Sequence, residues 1–139
     1  MKIAVAGTGY VGLSVALLLS QHNDVHALDI VERKVRMLNE GRSPIVDSEI
    51  SAFLDANADG SRPLRFHATL DAPQAYGDAE YVVVATPTNY DESKNYFDTS
   101  SVEAAVDAIR AVNKSAWIVI KSTIPVGYTQ NLRERLHDG

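Results

Sequence analysis

Two kinds of hydrophobic pattern take turns along this chain. Short, nearly unbroken apolar runs suit strands buried on both faces, and they occur at Lys2 to Ala6, Val25 to Ile30, Tyr81 to Ala85 and Ala116 to Ile120, with a weaker one at Leu64 to Ala68. Between them the apolar residues recur at helical spacing. Val11 to Gln21 is apolar nearly all round, which predicts a helix pressed into the core. Val31, Val35 and Leu38 set the stripe of a second helix, stopped by Gly41, a natural C-terminal cap, with Ser43-Pro44 as the turn after it. Asp47 caps a third, with Ile50, Phe53 and Leu54 inward and Glu49 outward. Asp71 to Tyr76 reads as a short helix. Thr99, Ser100 or Ser101 caps the next, which carries Glu103 in its first turn and buries Val102, Val106, Ile109 and Val112. Tyr128, Leu132 and Leu136 line a last helix, with Arg133, Glu134 and Arg135 outside. Two segments read as loops: Ala56 to Pro63, with the turn residues Asp59-Gly60-Ser61, and the longer Thr86 to Phe97, of a length that often serves function. Strands alternating with helices predict an α/β chain, a doubly wound parallel sheet with helices on both faces.

Composition narrows the chemistry. At 139 residues, 45% hydrophobic and 22% charged, the chain is one globular domain rather than a disordered segment. It has no cysteine, so disulfides, thiolate metal sites and thiol nucleophiles are excluded from these residues. Thirteen basic against eighteen acidic residues leave a formal charge of -5, which argues against a nucleic-acid partner, although backbone N–H groups can still build a local anion site. Met1-Lys2 and the apolar stretch behind them mimic a signal peptide. Gly7, Gly9 and Gly12 interrupt that stretch, and its longest unbroken run, Val15 to Leu19, is far below the ~18 residues of a membrane span. The expectation is a soluble cytoplasmic chain with no membrane partner.

The candidate chemistry begins at Gly7-Thr8-Gly9-Tyr10-Val11-Gly12. A lone G-x-G-x-x-G means little; here a strand precedes it, a helix follows, and Asp29 stands seventeen residues past Gly12 at the end of the next strand. That is the Rossmann-like dinucleotide arrangement. Gly7 permits the tight turn, Gly9 lets a pyrophosphate approach the backbone, and Gly12 lets the helix sit close to the strand. The helix N-terminus offers unpaired N–H groups to the phosphates. Asp29 can accept from both ribose hydroxyls of NAD and would repel the 2′-phosphate of NADP. Arg33 and Lys34 lie close enough in sequence to answer that phosphate, or simply to form an exposed helical turn; the reading favoured is NAD, with Lys34 at the ribose or adenine edge. Ligands of such sheets sit beyond the carboxyl ends of the strands. Thr86-Pro87-Thr88 and Lys121-Ser122-Thr123 end two strands there, and their hydroxyls either meet the cofactor's second ribose and nicotinamide or cap turns. No metal site is expected. His22 and His26 do not share a helix face, and His67 and His137 lack partners. Asn113-Lys114-Ser115 fits the glycosylation pattern but not a cytosolic chain, and the single Trp117 reads as packing.

Taken with Ser43-Pro44-Ile45-Val46, Thr86-Pro87-Thr88, Asn95-Tyr96-Phe97, Thr99 to Glu103 and Lys121 to Gly127, the Gly7 to Gly12 segment resembles the UDP-glucose 6-dehydrogenase family of bacteria over the whole chain. UDP-N-acetylmannosamine and GDP-mannose dehydrogenases share the plan. The family oxidises a sugar C6 alcohol to a carboxylate in two NAD-dependent steps, giving UDP-glucuronate. The resemblance implies NAD contacts at Val11, Asp29, Lys34, Thr88 and Thr123, with Thr123 also beside a catalytic water. With the fingerprint residues, the expected cofactor set is Gly7, Gly9, Tyr10, Val11, Gly12, Asp29, Lys34, Thr86, Thr88 and Thr123, with no catalytic residue among these 139. The family's cysteine nucleophile and its catalytic lysine, asparagine and aspartate lie beyond the equivalent of Gly139. The expectation is therefore the NAD-binding domain alone, residues 1–139, without the central and C-terminal substrate domains. Such a chain would be monomeric although the parent is a homodimer, and would meet the UDP-sugar only with the missing domains. A free-standing nucleotide-sensing module is the competing reading.

Overall fold

The computed structural model describes residues 1–45, 47–58, 60, 64–86, 89–91, 96–98, 100–122 and 127–137. Five parallel strands form its sheet: β1 (Lys2–Ala6), β2 (Asp24–Leu28), β3 (Phe66–Thr69), β4 (Tyr81–Val84) and, after the hairpin strands β5 (Asn89–Asp91) and β6 (Tyr96–Asp98), β7 (Trp117–Ile120). Their spatial order is β3-β2-β1-β4-β7. Successive strands step outward from β1 in one direction and then in the other, so the order reverses between β1 and β4, which defines the switch point. Pairing is in register through the middle of the sheet, with Ala4 opposite His26 on one side and Val82 on the other.

Alternation along the strands makes two cores. Ala4, Ala6, Val82 and Val84 pack with Ala75 and Tyr76 of α4 (Ala72–Tyr76), with Val102, Val106 and Ile109 of α5 (Ser100–Val112), and with Leu132 of α6 (Tyr128–His137). On the opposite face Ile3, Val5, Val25 and Val83 meet Ala16 of α1 (Tyr10–Leu19). Leu13 and Leu17 of that helix continue into a cluster with Val35 and Leu38 of α2 (Glu32–Asn39), Ile50 and Leu54 of α3 (Ser48–Ala58) and Ala68 of β3. Asp47 caps α3 as its position predicts, its Oδ1 accepting from the Ile50 N–H at 2.9 Å.

Several local expectations are corrected. The first helix stops at Leu19 rather than Gln21, because Ser20 Oγ donates to the Leu17 carbonyl and Asn23 Nδ2 to that of Leu19. Its apolar circumference is not all buried: Val11 is 46% and Leu18 59% exposed. Helix α3 runs on to Ala58, through the start of the expected loop. The Thr86 to Phe97 stretch is not all loop, since β5 (Asn89–Asp91) and β6 (Tyr96–Asp98) pair antiparallel, Tyr90 opposite Phe97 in register. Strand β7 is an edge rather than a buried strand, and Trp117, 72% exposed, does not pack. The expected stripe positions Tyr128 and Leu136, and Arg135 opposite them, have side chains outside the described residues, as do the residues Val46, Thr99 and Pro125.

Side-chain amides close the sheet where backbone pairing ends. Asn39 reaches from α2 to the outer edge of β3, donating to the Ala68 carbonyl and accepting from the Ala68 N–H, both at 2.9 Å. Asn113 donates to the carbonyls of Tyr76 and Ala79 and accepts from the N–H groups of Ser115 and Ala116. The amide in the glycosylation pattern is thus fully engaged in joining α4 and α5 to the start of β7. Among the described residues no helix is long and apolar enough to cross a membrane.

Candidate functional site

The loop after β1 lies at the switch point, and each glycine answers to a different constraint. Gly7 has φ +102°, and a Cβ there would lie 2.9 Å from the Ala85 carbonyl oxygen and 3.4 Å from the Thr86 Cα. It is held between the ends of β1 and β4. A Cβ on Gly12 would fall on the Gly7 carbonyl oxygen, so the first turn of α1 lies directly on the loop. A Cβ on Gly9 would meet nothing within 4 Å. Gly9 is the N-cap residue of α1 and no side chain caps the helix start. The two closed glycines therefore build the turn, and the open one leaves unpaired backbone N–H groups facing an approach path. Tyr10 and Val11 stand at its mouth, 58% and 46% exposed.

Asp29 follows β2 and is 8% exposed. Its carboxylate binds the glycine loop. Oδ2 accepts from the Thr8 N–H at 3.1 Å and from Thr8 Oγ1–H at 2.5 Å, while Oδ1 accepts from the Val31 N–H at 2.9 Å. Burial alone would favour the neutral acid; the Thr8 hydroxyl, the Val31 and Thr8 N–H groups and the Lys34 charge outweigh it and hold the carboxyl below its ordinary range. Asp29 is thus an anion at neutral pH. Lys34 sits half-buried in the first turn of α2 and Arg33 is exposed. Beyond Asp29, Ile30 is 89% exposed, and Leu70, which follows Thr69 on the adjacent strand, 49%. Together they offer apolar surface beside the carboxylate.

Thr86 closes the site on the β4 side. Among the described residues its Oγ1 is buried with no hydrogen-bond partner, and its carbonyl accepts from Ser122 Oγ at 2.7 Å. A buried hydroxyl without a partner, on the residue packed against Gly7, suits a polar group brought in from outside. The structure thus brings Gly7, Gly9, Tyr10, Val11, Gly12 and Thr86 to one strand-end crevice, with Asp29 and Lys34 along it toward β2. Thr88 and Thr123 lie outside the described residues. Sequence reasoning did not single out Thr8. It is fully buried and ties Asp29 to the loop, and a hydroxyl residue between two glycines gives no period or motif to flag it. His22 lies in the turn after α1 and His26 on β2, so the pair is not one cluster; His67, expected to lack a partner, instead lies across from His26 on β3, the two rings 5.3 Å apart. Among the described residues no group of three or more histidines and carboxylates is placed to hold a metal ion.

The chain is 49% identical over 137 residues to a UDP-glucose 6-dehydrogenase of Streptococcus pneumoniae, covering 99% of this chain and 34% of that protein. It is 41% identical to one of Campylobacter jejuni, with 99% and 34% covered. The chain thus spans about a third of the length of these curated relatives. A solved UDP-D-ManNAc dehydrogenase from Pyrococcus horikoshii superposes with a TM-score of 0.85 at 26% identity, over 99% of this chain and 32% of that one. The model of the NAD binding domain of the UDP-glucose/GDP-mannose dehydrogenase family matches residues 1–138, and the chain belongs to that family as its NAD-binding domain.

Proposed function

We propose that this domain serves an enzyme oxidising UDP-glucose to UDP-glucuronate, and that by itself it binds NAD without turnover. The observation that carries the binding site is the open approach over Gly9, framed by closed glycines at the switch point. In this reading the pyrophosphate lies on the N–H groups at the start of α1, with Tyr10 and Val11 beside it. Asp29 meets the adenosine ribose, Lys34 flanks it, and Ile30 and Leu70 border the adenine. Thr86 gives its unpartnered hydroxyl to the nicotinamide half, with Thr88 and Thr123 as further contacts. NAD, when bound, supplies the hydride acceptor; these residues orient it and leave one face to the sugar. The choice of UDP-glucose rests on the 49% and 41% identical relatives. The central and C-terminal substrate domains belong to the longer protein, which acts in the cytoplasm as a homodimer, while the 139-residue chain is monomeric.

Two measurements test this. Calorimetry should give tighter binding of NAD than of NADP; equal or tighter NADP binding removes the assigned role of Asp29. Absorbance of NADH with UDP-glucose and excess NAD should show no steady turnover. The chain has no cysteine to hold a sugar aldehyde covalently between two oxidations. In this reading the rest of the longer protein positions the sugar. Sustained turnover would place an active site within these residues and overturn the reading.

A further inference from the structure

The Asp29 carboxylate has four acceptor positions, two on each oxygen, and three are filled from within the chain. Both donors on Oδ2 come from Thr8, a residue with no solvent exposure. Val31 takes one position on Oδ1. A ribose diol arriving at this carboxylate finds Oδ2 saturated and a single acceptor position left on Oδ1.

We infer that Thr8 is a positioning and specificity-determining residue: it locks Asp29 so that the carboxylate meets the adenosine ribose through Oδ1 alone and cannot turn away from a 2′-phosphate. This rests on the reading of the crevice as the NAD site. Two consequences follow from the geometry. First, the lock joins the pyrophosphate loop to the ribose end of the site, because Thr8 lies between Gly7 and Gly9. Ordering the loop and aiming the carboxylate are then one event. Second, discrimination against NADP depends on an anion that can neither rotate nor take up a proton. Without the Thr8 hydroxyl the carboxylate would have one open acceptor position on Oδ2, would be held by the Thr8 and Val31 N–H groups alone, and would be easier to turn and to protonate beside a phosphate. Lys34, whose charge reaches Asp29, would then be available to the 2′-phosphate.

The test is calorimetric titration of the 139-residue chain with NAD and with NADP, using the parent sequence, Thr8→Val and Thr8→Ser. Valine keeps the volume and removes the hydroxyl; serine keeps the hydroxyl. Thr8→Val should weaken NAD binding about ten-fold, because the carboxylate is no longer held in its binding orientation before the cofactor arrives, and leave NADP affinity within about two-fold, so the preference collapses. Thr8→Ser should restore the preference to within about two-fold of the parent. Circular dichroism of each variant establishes that it is folded, and if Thr8→Val does not fold, Thr8→Ser against Thr8→Ala carries the same comparison. Equal weakening of NAD and NADP in the hydroxyl-less variant means that Thr8 merely supports the loop, and overturns the inference. Unchanged NAD affinity overturns it as well. Failure of the parent chain to bind either nucleotide is a different outcome, overturning the site assignment and the inference together.

Discussion

The two sides of the sheet are finished to different degrees. From β1 through β3 both faces carry helices, α1, α2 and α3 on one and α4 on the other; His67 of β3 stays exposed, but side chains such as Leu17 and Val25 are wholly buried. Even the ends are tied, by Asn39 along β3 and by Asp29 across to Thr8. At β7 only one face is covered among the described residues. Ile118 and Ile120 lean on the core beneath α5 and α6, while Trp117 and Val119 on the other face are 72% and 42% exposed. The strand patterns alone do not separate these cases, since β7 is as apolar as β1. What differs is whether another element lies against the second face. The fingerprint sits on the finished side, where a rigid scaffold holds the loop geometry within the tolerance that a cofactor demands.

Substitutions should expose this contrast. The largest effect is expected at Leu17→Ala, which empties a fully buried position between α1 and the α2–α3 cluster. It should cost about 2–5 kcal/mol in urea unfolding, and a loss below about 1 kcal/mol would mean that the finished side is loosely packed. Gly12→Ala comes next. Alanine ordinarily favours a helix over glycine, but here its methyl would strike backbone, so a loss of about 1–3 kcal/mol is expected instead of a gain. Gly9→Ala is the sharpening control. It should leave stability within about 0.5 kcal/mol and weaken NAD binding, because the methyl intrudes only on the open approach.

A smaller effect is expected from His26, at the middle of β2 on the face that carries α4. Burial first, then the charge of Lys2 and the neighbouring His67 ring 5.3 Å away, lower its pKa from 6.5, against the opposing pull of Asp24. The native state therefore binds fewer protons than the unfolded chain below pH 6.5. Stability is fully present above that pH, falls as the solution is acidified through it, and levels off once native His26 is also protonated. Urea midpoints between pH 7.5 and 5.5 should decline in the parent and flatten in His26→Gln; parallel profiles would exclude His26 as the source. The smallest effect belongs to the unfinished side. Trp117→Ala should change stability by less than about 0.5 kcal/mol, and the emission of this single tryptophan should shift little on unfolding. A large blue-shifted native emission, or a dimer by light scattering, would show that the bare face of β7 is covered in solution.

Much of this molecule was legible along the chain because local spacing carries it. Apolar runs located the five parallel strands, period fixed the helices, and Gly7, Gly9, Gly12 and Asp29 could be matched to a crevice before any contact was known, since the turn, the close approach and the acid are each set by residue type at a fixed distance. The order of the strands, the bare outer face of the edge strand β7 and the exposure of Trp117 on it were decided by tertiary structure, because burial depends on which distant segment lies opposite. The hairpin from Asn89 to Asp98 was missed for a related reason: three-residue strands are too short to show a period. Thr8 marks the limit most clearly. Its type and neighbours say only that it sits in a glycine turn; that its hydroxyl holds Asp29 follows from β1 and β2 being adjacent in space, which no local pattern encodes.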